Sequence, residues 1–197
     1  TADMVLTDDN YASIVAAVEQ GRVIYANIRK FVFFMLSTNL TEIMVIFVAA
    51  LLRLPLPLTV IQLLTLNLLT DGFPALALAV EKGEPQVMQR PPRPKNEPII
   101  KKSMRIGLTI QTVCQTAVAL GAFLLGLWWH PGAALPPGQS PLLTLLRFNW
   151  TGVDVQTAET MAFITLALCE LFRAYTVRSE RLSVFQLGLF SNRAMQP

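Results

Sequence analysis

Apolar residues gather into three long runs with short polar breaks between them, and a fourth, more interrupted run follows near the C-terminal end. Phe31–Leu52 carries a single charge, Glu42; Leu58–Val80 also carries one, Asp71; Ile106–Trp129 carries none. Thr157–Tyr175 is apolar apart from scattered polar positions that include Glu159, Glu170 and Arg173. About 20 apolar residues in a helix span a hydrocarbon layer of roughly 30 Å. The pattern therefore predicts an all-α, multi-pass transmembrane bundle with four spans, at about 31–54, 58–80, 106–129 and 157–175.

Ahead of the first span the pattern changes period. Thr1–Asp9 is polar around Met4, Val5 and Leu6, which predicts a short cytoplasmic strand; Asp9 or Asn10 then caps a helix starting near Tyr11. Ile14, Ala17, Val18, Gly21, Ile24, Tyr25 and Ile28 follow the 3.6-residue period of an amphipathic helix. Only Gly21 interrupts the path into the first span, so Tyr11–Leu52 reads as one rod about 63 Å long, a stalk able to carry motion to the bilayer centre. Arg53–Pro57 is short enough only for an antiparallel hairpin. Residues 81–105 hold five prolines and seven basic residues and read as an ordered loop. Residues 130–156 form the longest loop, where His130 stands alone as a loop histidine.

Composition agrees, with 53% of the 197 residues hydrophobic and 15% charged. The net charge of +3 suggests nucleic acid until its placement is considered. Fourteen of the sixteen Lys and Arg lie before Phe31, between Lys82 and Arg105, or from Arg173 onward. By the positive-inside rule both ends of the chain and the 81–105 loop are cytoplasmic, which four spans satisfy, and no nucleic-acid partner is expected. Cys114 and Cys169 fall inside spans and read as small hydrophobes without a disulfide. The thirty residues before the first apolar run begin acidic and do not resemble a secretory leader. Trp128, Trp129 and Trp150 suit a membrane interface.

The spans nevertheless contain acids. A carboxylate at the bilayer centre costs about 2.5–3.5 kcal/mol even on lenient insertion scales. Asp71 is followed by Gly72 and Pro74, and Pro74 removes the helical hydrogen bond to the Thr70 carbonyl. Asn67, Thr70 and Asp71 stand at i, i+3 and i+4, on one face of a helix, and Asn39 precedes Glu42 by three. Glu170 sits deeper in its span. Hard divalent ions such as Ca²⁺ take six to eight oxygens from such groups. Zinc or copper would call for Cys or His instead. The same groups would also serve a passive cation channel, or a structural subunit whose helices they hydrogen-bond together. Gln62 and Gln111 suit packing better than an ion path.

These residues also resemble a known family. Thr1–Asn10 with Gly21-Arg22 and Ile24-Tyr25 looks like the end of the phosphorylation domain of a P-type ATPase. Ser37-Thr38-Asn39-Leu40-Thr41-Glu42 resembles the fifth transmembrane helix of its calcium-pump subgroup, and Gln62 through Pro74 the sixth. Arg90-Pro91-Pro92-Arg93 resembles the loop that follows, and Thr160–Phe163 leading to Glu170 the eighth helix. The resemblance assigns residues 1–30 to the end of the phosphorylation domain and the stalk, and 31–197 to the cation-binding membrane region. It implies a metal site from Asn39, Glu42, Thr70, Asp71 and Glu170, and a second using Asn67 and Asp71 completed by another helix. It further implies Ca²⁺ as the transported ion, H⁺ as counter-ion, and ATP and Mg²⁺ used only by the full-length protein. The expected partners are the lipid bilayer and the missing domains and first four helices of the same pump. The expected location is a membrane, the plasma membrane if the source is prokaryotic. Na⁺, Mn²⁺ and Mg²⁺ pumps of the same family remain open. No catalytic residue is expected in this chain, which lacks an Asp-Lys-Thr-Gly motif and reads as a C-terminal piece. Arg173, one turn beyond Glu170, is positioned for an i,i+3 ion pair that would neutralise it.

Overall fold

The computed structural model describes residues 10–84, 87–89, 91, 92, 94, 97–129, 155–179, 188 and 192. These form helices α1 (Tyr11–Leu51), α2 (Val60–Thr65), α3 (Phe73–Ala79), α4 (Lys102–Trp129) and α5 (Gln156–Val177), with a π-helical segment Leu66–Gly72 joining α2 to α3. A short 3₁₀ turn covers Val87–Gln89. No strand occurs among the described residues; the strand expected at Met4–Leu6 and most of the 130–156 loop lie outside them. Among the described residues four helical stretches are long and apolar enough to cross a membrane: Tyr11–Leu51, Val60–Ala79, Lys102–Trp129 and Gln156–Val177.

Stalk and first span are one helix, as the uninterrupted period requires. Asn10 caps it, its side chain accepting from the Ala12 amide at 3.0 Å. The helix ends three residues earlier than the expected boundary at 54, because Arg53 takes a left-handed φ of 56°. The amides of Arg53 and Leu54 then return to the carbonyls of Ala50 and Ala49 at 3.1 and 3.0 Å, closing a Schellman motif. Thr59 and Gln62 make a reciprocal capping box that starts α2, which gives Gln62 a structural task at the helix entrance.

Two apolar clusters divide the bundle along its length. Phe34, Ala75, Leu78, Ala174 and Val177 pack at the stalk end. Val45, Ala49, Leu66, Ala119, Phe123, Ala162 and Leu166 belong to the cluster at the hairpin end. α4 packs most closely on α5, where a Cβ on Gly126 would come within 2.6 Å of the Ala158 Cα. Only glycine permits that approach, the small-residue contact that lets membrane helices pack by van der Waals forces.

The chain after α3 folds back onto the stalk. Arg22 Nη1 donates to the Val87 carbonyl at 3.1 Å, and a Cβ on Gly83 would meet Val23 Cγ2. A cavity of about 640 Å³ remains between this loop and the stalk, lined in part by Arg22, Tyr25, Arg29, Lys30 and Lys101.

Candidate cation site

Between the two apolar clusters lies a polar layer, and the same rhythm builds it on three helices. On α1, Thr38 and Glu42 fall between Phe34 and Val45. In the second span, Asn67, Thr70 and Asp71 fall between Leu66 and Ala75. On α5, Glu170 falls between Leu166 and Ala174. Each of these flanking apolar residues is 2% exposed or less, so the layer is sealed at both ends by packed side chains. Asp71 and Glu170 are fully buried and Glu42 nearly so.

The backbone at Asp71 is loosened without breaking. Leu66–Gly72 winds as a π-helix, and Gly72 keeps helical angles (φ −62°, ψ −52°) as the chain enters α3 with Pro74 in its first turn. A missing N–H at Pro74 disrupts the regular i→i−4 ladder, and a local i→i+5 winding absorbs the defect. Such segments occur often at functional sites. Wider winding also changes which way the three polar groups point. Asn67 and Asp71 reach α1, whereas Thr70 reaches α5; the shared face expected of a regular α-helix is split between two neighbours.

Each carboxylate is met by one neutral group from another helix. Asn67 Nδ2 donates to Glu42 Oε2 at 3.0 Å, the Thr38 hydroxyl to Asp71 Oδ2 at 2.6 Å, and the Thr70 hydroxyl to Glu170 Oε2 at 2.7 Å. The second oxygens, Glu42 Oε1, Asp71 Oδ1 and Glu170 Oε1, are buried and accept no hydrogen bond from the described residues. An orphaned buried acceptor costs about 1–3 kcal/mol, more when charged. Three of them in one layer form a set of hard-oxygen acceptors. Among the described residues, no three His, Cys, Asp or Glu side chains converge closely enough to hold a metal ion by themselves. Neutral oxygens must complete any coordination shell.

Two expected arrangements are not formed. Arg173 makes no ion pair with Glu170; its guanidinium lies over the Phe33 ring, 4.9 Å from the centroid. A planar cation stacks readily on an aromatic face, and the rotamer that does so carries the charge across to α1. Asn39 does not join the carboxylates either: its amide nitrogen donates to the Met35 carbonyl of its own helix at 2.8 Å. Thr38 takes the place next to Asp71 instead. It was legible as the residue four before Glu42, sharing that face as well as Asn39 does.

The third span supplies polar groups of another kind. Thr112, Gln115 and Thr116 are buried on α4, and Gln111 Nε2 donates to Gln115 Oε1 at 3.1 Å. Cys114 and Cys169 are free thiols, as their span positions led one to expect.

Four membrane-length helices with this oxygen-lined layer among them are the features against which sequence comparison can be set. The family described as "Cation transporting ATPase, C-terminus" matches residues 55–196. The chain is 39% identical over 192 residues to a calcium-transporting ATPase 1 of Bacillus cereus, an alignment covering 98% of this chain and 21% of that protein. A calcium-transporting ATPase 1 of Yarrowia lipolytica is 35% identical over 192 residues, covering 98% and 18%. A P-type sodium-transporting ATPase4 of Toxoplasma gondii is 45% identical over 132 residues, covering 66% and 10%. The chain belongs to the cation-transporting P-type ATPase family and is an integral, multi-pass membrane protein. It spans about a fifth of the length of these first two relatives.

Proposed function

We propose that this chain is the ion-gripping part of an ATP-driven cation pump and that Ca²⁺ is the ion it carries. The observation that supports the reading is the layer itself: three buried carboxylates, each with one oxygen unpartnered and none in an ion pair with a basic side chain among the described residues. Left ionised and alone, three such groups would cost about 8–10 kcal/mol on insertion scales. A divalent cation in the layer removes that cost, and protons remove it once the ion has left. The acids thereby make H⁺ the natural counter-ion.

Asp71, on the segment whose Asn67 and Thr70 meet Glu42 and Glu170, is read as the shared ligand, with those two acids losing and regaining protons through the cycle. Asn67 and Thr70 are neutral ligands, Asn39 joins them by turning its amide away from the Met35 carbonyl, and Thr38 orients Asp71. Hydroxyl, amide and carboxylate oxygens suit Ca²⁺, whose shell is flexible, better than Mg²⁺, which demands near-octahedral geometry. Residues 10–30 are the stalk leading from a phosphorylation domain, both chain ends face the cytoplasm, and ATP and Mg²⁺ act in parts of the pump beyond this chain. The likeness to a sodium-transporting relative keeps Na⁺ as the second reading.

The test is a cation panel: ATPase activity of the purified full-length protein against Ca²⁺, Na⁺, Mn²⁺ and Mg²⁺ alone. Micromolar Ca²⁺ should activate it, and activation by Na⁺ alone would select the second reading. Thr38→Val keeps the shape of the residue and removes the hydroxyl that orients Asp71. Hydrogen bonds to charged groups contribute about 1.5–3 kcal/mol, so the half-activating Ca²⁺ concentration should rise roughly tenfold or more. Unchanged activation by Ca²⁺ would show that Thr38 does not orient a ligand.

A further inference from the structure

The three helices that supply the polar layer are also joined to one another at the stalk end, around Glu81. Arg178, just past the end of α5, is 1% exposed and grips Glu81 with two bonds, Nε to Oε2 at 3.1 Å and Nη2 to Oε1 at 2.8 Å. Its third nitrogen, Nη1, donates to the Gly188 carbonyl at 3.0 Å. Asn192 Nδ2 donates to Glu81 Oε2 at 2.6 Å and to the Ala77 carbonyl of α3 at 3.0 Å. From the stalk, Asn27 Nδ2 donates to the Glu81 carbonyl at 2.7 Å and to the Ala79 carbonyl at 3.3 Å.

The spacing is parallel on all three helices. Asn27 precedes Thr38 by eleven residues, Glu81 follows Asp71 by ten, and Arg178 follows Glu170 by eight. At 1.5 Å per residue the knot lies about 12–17 Å from the layer along each of them. α4, which brings no carboxylate to the layer, brings no group to this knot among the described contacts. A buried ion pair is a poor choice where stability alone is needed, because well-packed apolar residues of similar volume often do as well or better. What the bidentate pair offers is direction, since the guanidinium fork fixes the carboxylate in plane and register.

We propose that Glu81 and Arg178 are positioning residues that hold the second and fourth spans in the register the ion layer requires. Asn27 is the tie by which α1 moves that register. This rests on the transport reading above. The pair sets how well Thr70 and Asp71 meet Glu170 and Glu42, so its loss weakens ion binding. Loss of Asn27 leaves the layer formed but disconnects it from the stalk, so it slows turnover.

The test uses the full-length protein. Glu81→Gln combined with Arg178→Met removes both charges together and leaves no lone buried ion. It should raise the half-activating Ca²⁺ concentration about fivefold or more, with turnover at saturating ion within about twofold of wild type. Hydrogen exchange across Leu66–Gly72 should quicken in the same variant. Asn27→Leu should show the opposite split, turnover falling about fivefold or more with half-activation unchanged. Wild-type half-activation and wild-type exchange in the double variant would overturn the proposal, as would turnover falling only in step with folded protein. If the double variant does not accumulate, unchanged turnover in Asn27→Leu overturns it and the expected split upholds it. Absence of any ion activation in wild type, with quickened exchange at Leu66–Gly72 in the double variant, would count against transport while upholding the knot.

Discussion

Asp71→Asn should abolish ion-dependent phosphorylation of the full-length pump. The substitution changes almost nothing but charge. Asparagine has the same shape, and its amide oxygen can still accept the Thr38 hydroxyl that now lies 2.6 Å from Asp71 Oδ2. The buried position tolerates a neutral side chain better than a carboxylate, so the variant should fold and reach the membrane. What it loses is a formal charge on the segment whose Asn67 and Thr70 meet Glu42 of α1 and Glu170 of α5. Ligand charge count is a main determinant of Ca²⁺ affinity, and removing one central carboxylate should lower affinity by about two orders of magnitude. The measurement is incorporation of labelled phosphate from ATP at micromolar Ca²⁺, normalised to protein in the membrane. Wild-type levels of phosphoenzyme in Asp71→Asn would remove the residue from the site.

The second large effect concerns the stalk. Inserting two glycines after Gly21 should uncouple ATP hydrolysis from ion movement. α1 runs unbroken for 41 residues from Tyr11 to Leu51 and carries Asn27, Thr38 and Glu42 on the way. Two extra residues advance the helix by about 3 Å and turn it by roughly 200°. The stalk before the insertion can then no longer keep both its own orientation and its register with the span. Each glycine also weakens the helix by about 1 kcal/mol relative to alanine. Gly21→Ala is the matched control: a Cβ there meets nothing within 4 Å, and alanine is the better helix former, so coupling should be unaffected. Ion uptake per ATP hydrolysed, measured in proteoliposomes, decides the matter. A normal ratio in the insertion variant would show that α1 is not the relay.

How much of this was legible in the chain differs from element to element. The spans could be read because apolar runs of membrane length have few competing explanations, and Asn10 was legible as a cap because helix starts select that side chain. Asp71 stood out because a mid-span acid is costly. The partners of these groups were not legible. Whether Thr38 or Asn39 meets the second span depends on a helix rotation of about one residue, which periodicity does not resolve. The π winding at Leu66–Gly72 turned Thr70 away from Asn67 and Asp71, and a strict 3.6-residue wheel had put all three on one face. Arg173 illustrates a further limit. Spacing placed it beside Glu170, yet Phe33 on another helix offered the guanidinium a ring, and only the packed bundle reveals that choice. Glu81, Arg178 and Asn192 gave no local signal, since each is an ordinary polar residue beyond a helix end until the fold brings them together.

The layer between the two apolar clusters should bind Ca²⁺ through Glu42, Asp71 and Glu170. Equilibrium binding of radioactive Ca²⁺ to the purified full-length protein, without ATP, tests it most directly. Saturable binding in the micromolar range is expected for wild type, falling below detection in Asp71→Asn. Binding of equal strength in both proteins would contradict the claim.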